Sequence, residues 1–250
     1  MARQNGILKL KGTIGGMTFY KTSLDGHLVR EKGGVSGDRI ANDPAFIRTR
    51  ENGEEFGAAG LAGKLLRDAL RALMQSASDS RVTSRVTKTM MDILKLDTAS
   101  ARGKRTPFSG LTTPQGKAIL KGFNFNLKSI LGSILYKPYT VNTATGEIGI
   151  PNLVPINDIA APAKATHCTI KGAYANIDFA TGIFDIQFSP AANLPIDGTS
   201  SNISLVPADV PVGTGLQFYL LEIEFFQEVN GQQYSLKNGA YNSLAIVEVI

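Results

Sequence analysis

The chain has 250 residues, of which 43% are hydrophobic and 19% charged. That excludes wholesale disorder and leaves room for one good core and a second small one. The net charge of +5 hides a polarity: residues 1–137 hold 23 of the 26 Lys and Arg and 11 of the 21 Asp and Glu, giving +12, so residues 138–250 carry −7. Cys168 is the single cysteine, which excludes an intrachain disulfide scaffold.

The first residues, Met1-Ala-Arg-Gln-Asn-Gly, lead into Ile-Leu-Lys-Leu-Lys without the apolar core of a secretory signal. The longest apolar stretch, Ser129–Leu135, is too short to span a membrane. The expectation is cytoplasmic synthesis, with the final location (cytoplasm, virion-like particle or cell surface) left open.

Residues 1–35 predict a basic β-ribbon arm. Three short β-prone runs, starting at Ile7, Met17 and His27, are separated by Gly15-Gly16 and Asp25-Gly26, both tight-turn signals. Lys9, Lys11, Lys21, Arg30 and Lys32 recur through the ribbon. Two or three strands alone are marginal, so the arm needs a surface to pack on.

Residues 36–105 predict a helical hairpin. Asp43 is the expected N-cap and Pro44 stands in the first turn, where its missing N–H costs nothing. The pattern runs to about Met74, with Leu61, Leu65, Leu66, Ala69, Leu70, Leu73 and Met74 as its apolar face. Gly53, Gly57, Gly60 and Gly63 fall on one stripe, predicting a close helix contact and a break near Gly57. A second helix begins at Asp79 or Ser80 and buries Val82, Val86, Met90 and Ile93 or Leu94. The basic loop Ala101–Arg105 is the expected domain boundary.

Residues 106–250 predict an antiparallel β-sandwich of Greek-key or immunoglobulin-like type. Phe123, Phe125 and Leu127 alternate with polar residues, and hairpins are expected around Thr143–Gly146, Ala180–Gly182 and Asn230-Gly231. Tyr219, Leu221, Ile223 and Phe225 line one face of a long strand, which places Glu222 and Glu224 on a solvated or interface face. The fold class is α+β.

No catalytic, metal or cofactor motif emerges. Two histidines and one cysteine are too few for a zinc site, and the neighbours His167 and Cys168 point to opposite strand faces. The run Gly57–Lys64 imitates a phosphate loop but has Leu65 where Ser or Thr is required, and it lies inside a helical pattern. Basic residues on the helices (Arg48, Arg50, Lys64, Arg67, Arg71, Arg81, Arg85, Lys88) and in the loop at 102–105 admit nucleic-acid binding as an alternative. Acidic residues are interspersed among them, however, and no reading motif appears.

Three blocks carry a resemblance: Gly12-Thr-Ile-Gly-Gly-Met-Thr-Phe-Tyr-Lys with Val29-Arg-Glu-Lys-Gly-Gly, then Asp43–Gly57, and the ending Val229–Val247. Together they resemble a domain-of-unknown-function family common in Bacteroidota genomes. The resemblance implies one architecture over most of the chain and brings no activity, cofactor or site residue with it.

The resulting expectation is a non-enzymatic structural protein that polymerises head to tail into a filament, tube or ring. Lys9, Lys11, Lys21, Arg30 and Lys32 of one copy would meet Glu222, Glu224 and Glu228 of the next. A ligand- or carbohydrate-binding sandwich, using the Pro/Asn/Ser-rich loops of 189–213, is a further alternative.

Overall fold

The structure, a computed structural model, describes residues 2–250, the side chains of Lys237 and Asn238 excepted. It is a mixed α+β protein whose chain divides into two compact units, one up to Glu51 and the other Asn52–Ile250.

The first unit carries a four-stranded antiparallel sheet of β1 (Ala2–Arg3), β2 (Gly12–Ile14), β3 (Met17–Thr22) and β4 (Gly26–Glu31), in the order β1-β4-β3-β2. Gly15 and Gly16, at φ 54° and 83°, make the two-residue turn from β2 to β3 that other residues resist. The short α1 (Gly37–Asn42) follows, capped by the Ser36 hydroxyl, which accepts from the Arg39 N–H at 3.3 Å. Asp43 caps the next turn by accepting from the Ala45 N–H at 2.9 Å. Among this unit's described residues only Leu28 is a buried hydrophobic side chain, at 6% exposure.

The second unit is built around six strands. Its centre is β7 (His167–Asp178) paired antiparallel with β11 (Leu216–Val229), in register from Ile177↔Leu216 to His167↔Phe226. β8 (Ile183–Phe188) and β9 (Ala192–Pro195) pair successive parts of β7, while β12 (Gln232–Ser235) and β13 (Ser243–Val249) pair successive parts of β11. A smaller sheet orders β10 (Ser201–Leu205), β6 (Ile148–Leu153) and β5 (Thr140–Val141).

Each face of the large sheet closes a core. On one face Phe218, Leu220, Ala173, Ala175, Ile177, Leu244 and Ile246 pack against α2 (Ile47–Ala69), α3 (Arg71–Ser76), α4 (Val82–Leu94), α5 (Pro107–Leu111) and α6 (Pro114–Leu120). On the other, Tyr219, Leu221, Ile223, Phe225, Cys168 and Ile170 meet Ile148, Ile150, Leu153, Ile203 and Leu205 of the small sheet. Short helices α7 (Leu131–Ile134) and α8 (Pro155–Asp158) lie in the connections to that sheet. Residues 122–125 extend the large sheet along β13: the Gly122 and Phe125 N–H groups donate to Ile246 and Leu244 carbonyls, both at 2.8 Å.

Four expectations change. The run Ile7–Lys11 is not a strand but part of the loop from β1 to β2. The segment 189–213 is not plain loop, because it contributes β9 and β10. The loop at 101–105 is tied to α2: Glu55, buried on that helix, accepts from the Gly103 N–H at 2.7 Å and grips Arg105 through two bonds of 2.8 Å. Helix α2 runs unbroken past Gly57, and its inward face is Glu55, Ala59, Gly63, Leu66 and Ala69, leaving Leu61 exposed. Within the glycine stripe only Gly63 meets a neighbour, where an added Cβ would lie 3.1 Å from the Val86 side chain; Gly53, Gly57 and Gly60 face open space. The close approaches occur elsewhere. A Cβ at Gly110 would stand 2.1 Å from the Ile93 carbonyl oxygen, and one at Gly116 equally near that of Gly110.

These two environments predict opposite outcomes for the same substitution. Gly57→Ala should raise stability by about 0.5–1 kcal/mol, since it fills no occupied space and restricts the unfolded chain. Gly110→Ala should lower it by about 1–3 kcal/mol or more, because backbone must move. Urea unfolding of the two variants checks this, and equal effects would contradict the packing described.

Candidate functional site

The expected interface residues separate sharply by environment. Lys9, Lys11, Lys21, Arg30 and Lys32 are all exposed on the first unit, and none makes an ion pair among the described residues. Arg30 lies over the Tyr20 ring at 5.3 Å, and the Lys9 ammonium donates to the Gln4 carbonyl. Around them Ile7, Leu8, Leu10, Ile14, Met17 and Leu24 are exposed as well, with Ile7 and Leu8 at the tip of the loop joining β1 to β2.

Of the acidic residues expected opposite them, Glu228 is exposed but Glu222 and Glu224 are not a free surface, which corrects the sequence reading for those two. Glu222 is 1% exposed, because the face of β11 opposite Tyr219 and Leu221 is covered by helices instead of water. Its Oε1 accepts from the Ser76 hydroxyl at the end of α3, its Oε2 has no hydrogen bond, and the Lys171 ammonium stands 3.8 Å away. Lys171 also lies 3.9 Å from Glu224, which is largely covered. Glu228 faces His167 at 3.5 Å.

Burial pushes the Glu222 carboxyl up to about 7; the Ser76 hydroxyl and Lys171 oppose the rise, and neighbouring Glu224 adds to it. Burial likewise pushes the Cys168 thiol up to about 12, leaving it an inert core group instead of a nucleophile beside His167. Among the described residues no group of three or more His, Cys, Asp or Glu side chains could hold a metal ion. No helix there is long and apolar enough to cross a membrane.

The charge polarity along the chain also dissolves in three dimensions. Residues 1–51 carry nine basic and five acidic groups, +4, while residues 52–250 carry 17 and 16, +1. Within the second unit, basic side chains of the helical region are taken up by nearby acids: Arg85 by Asp79 at 2.5 Å, Lys95 by Asp92 at 2.7 Å and Lys104 by Glu54 at 3.0 Å. Lys121 reaches Glu248 on β13 at 2.6 Å and Lys137 reaches Asp158 at 3.5 Å, joining the two halves that the sequence sets in opposition.

Two open clefts mark the second unit. One, of about 540 Å³, runs between α2, the start of α5 and the turn from β7 to β8, with Leu61, Leu65, Phe108, Phe179 and Phe184 on its walls. The other, of about 630 Å³, lies beside α4 and is lined by hydroxyls of Ser84 and Thr87, with Lys88, Phe56 and Met91. Periodicity along single elements does not reveal the first cleft, which is assembled from elements far apart in the chain, whereas all of the second cleft's lining except Phe56 comes from residues 80–95.

Comparison with protein families, curated proteins and solved structures gives no match.

Glu222 generates a prediction with a definite sign. Its folded-state pKa lies above the ordinary 4.5, so folding favours the protonated carboxyl. That contribution is complete below about pH 4.5 and is lost as pH rises to about 7. Glu222→Gln keeps a neutral amide there, so it should stabilise the protein above pH 7 by up to about 3 kcal/mol and make little difference at pH 4. Denaturation midpoints of both proteins across pH 4–8 test it; a constant difference would refute the assignment.

Proposed function

We propose that this chain is a non-enzymatic structural protein that assembles with copies of itself into a filament, tube or ring, its first unit docking on the second unit of a neighbouring copy. The observation that carries this is the sheet β1–β4, which buries one hydrophobic side chain within its unit while Ile7, Leu8, Leu10, Ile14, Met17 and Leu24 stand exposed. A small sheet without a core is not stable alone, and several large apolar side chains left exposed on so small a unit favour a further contact. Five basic groups among them, free of ion pairs, add long-range attraction toward an acidic acceptor.

The contact is heterologous, since the donor is the first unit and the acceptor the second, and such contacts propagate or close into rings according to the rotation between copies. In this proposal the facing sheets of the second unit act as a sandwich-type scaffold for such contacts. Nucleic acid is the weaker reading, because Arg85, Lys95, Lys104, Arg105 and Lys121 already neutralise carboxylates.

Light scattering coupled to size exclusion, followed by negative-stain electron microscopy, tests the assembly. The full chain should elute at a multiple of its 26.7 kDa mass in about 20 mM salt and form regular particles. Its mass should fall in about 500 mM salt, where exposed charges are screened. A species of 26.7 kDa at high protein concentration in both buffers would exclude self-assembly.

A further inference from the structure

We infer that the cleft between α2, the start of α5 and the β7–β8 turn is the acceptor for the Ile7–Lys11 loop of a second copy. The inference rests on the assembly reading above and names the two surfaces that meet. On the donor side, Ile7 and Leu8 are 101% and 84% exposed and project from the loop joining β1 to β2. The loop is held in shape from within: the Gln4 side chain accepts from the Leu10 N–H at 2.9 Å and donates to the Leu28 carbonyl at 3.0 Å. It is thus a shaped apolar knob, which loses less freedom on docking than a floppy segment does.

On the acceptor side, the cleft offers apolar walls from four separate elements: Leu61 and Leu65 of α2, Phe108 of α5, Phe184 of β8, and Phe179 of the turn between β7 and β8. Leu61 is 71% exposed, although it sits on a helix whose other leucines are covered. Its volume of about 540 Å³ takes two aliphatic side chains with room to spare.

Charge selects this occupant over an unspecified apolar partner. Lys9 and Lys11 flank the apolar side chains of the knob. Asp68 lines the cleft, and Asp178 lines its continuation past Phe108 and Phe179. The Asp178 carboxylate accepts from the Thr181 hydroxyl at 2.7 Å and the Ala180 N–H at 2.8 Å, which holds it ionised at neutral pH. Lys64, the one basic residue on the cleft walls, stands 3.7 Å from Asp68 and leaves Asp178 to meet an incoming lysine. Apolar anchors thus fall on apolar walls, and one lysine of the knob meets Asp178.

Cross-linking with placed cysteines tests the assignment in the full chain, because Cys168 is buried and does not compete. Leu8→Cys and Leu61→Cys, each made separately, are mixed and treated with a short bismaleimide; both sites are exposed, so both variants fold. A covalent species at twice the chain mass, formed in the mixture and lost when either variant is omitted, supports the inference. Leu61→Glu should in parallel shift the native mass down to 26.7 kDa with an unchanged circular dichroism spectrum. If the wild type assembles but the mixture gives no cross-link and Leu61→Glu still assembles, the cleft assignment fails while the assembly reading stands. If the wild type is a monomer, both fail. Should the double variant Leu8→Cys/Leu61→Cys link internally at monomer mass, the loop fills its own chain's cleft and the second copy is the wrong occupant.

Discussion

The second unit depends on one constraint: the β7–β11 pair is buried on both faces. Phe218 through Ile223 form six consecutive residues with almost no exposure, Glu222 among them. A strand in that position cannot leave either side to water, so each face needs its own cover. The helices supply one and the small sheet the other. From this follow the two cores, the inclusion of α2–α6 in the same body as the sheets, and a carboxylate stranded where a strand reading places solvent.

The second-unit elements whose pattern is local were legible in the sequence. The stripe Val82, Val86, Met90, Ile93 and Leu94 is the buried face of α4, and the turns around Ala180–Gly182 and Asn230-Gly231 join paired strands. What could not be read is which face meets what. Period two in β11 separates odd from even residues, yet it cannot tell a solvated face from one packed under helices, so it puts Glu222 on a solvated or interface face while the fold buries it. The glycine stripe of α2 failed for a related reason: spacing shows that four small residues share a side, but whether a partner approaches is decided by distant chain. The glycines that do permit close approach, Gly110 and Gly116, sit in short helices with no repeating pattern to announce them.

Charge behaves in the same way. Basic and acidic residues segregate along the chain, but the fold interleaves them, and Lys121 on Glu248 and Lys137 on Asp158 tie the two halves together inside one body. Part of the attraction between the linear halves is therefore met within the second unit. The surplus sits in residues 1–51, at +4, where Lys9, Lys11, Lys21, Arg30 and Lys32 make no ion pair among the described residues.

That surplus coincides with the weakest packing in the molecule. Folding gains must offset roughly 1–2 kcal/mol of backbone entropy for each ordered residue, chiefly through apolar burial. In the second unit two extensive cores supply that burial, whereas the sheet of the first unit has Leu28. Tight turns and a hydrogen-bonded loop give this sheet a defined shape without giving it the means to hold that shape in isolation. In the proposed assembly its exposed Ile7, Leu8, Ile14 and Met17 would be half of a core whose other half lies on a second copy. Assembly would complete that core, so order in the first unit and association between copies become a single event. In such a system the first unit gains protection from proteolysis and hydrogen exchange only as the protein concentration rises, because the stabilising surface arrives with the neighbour.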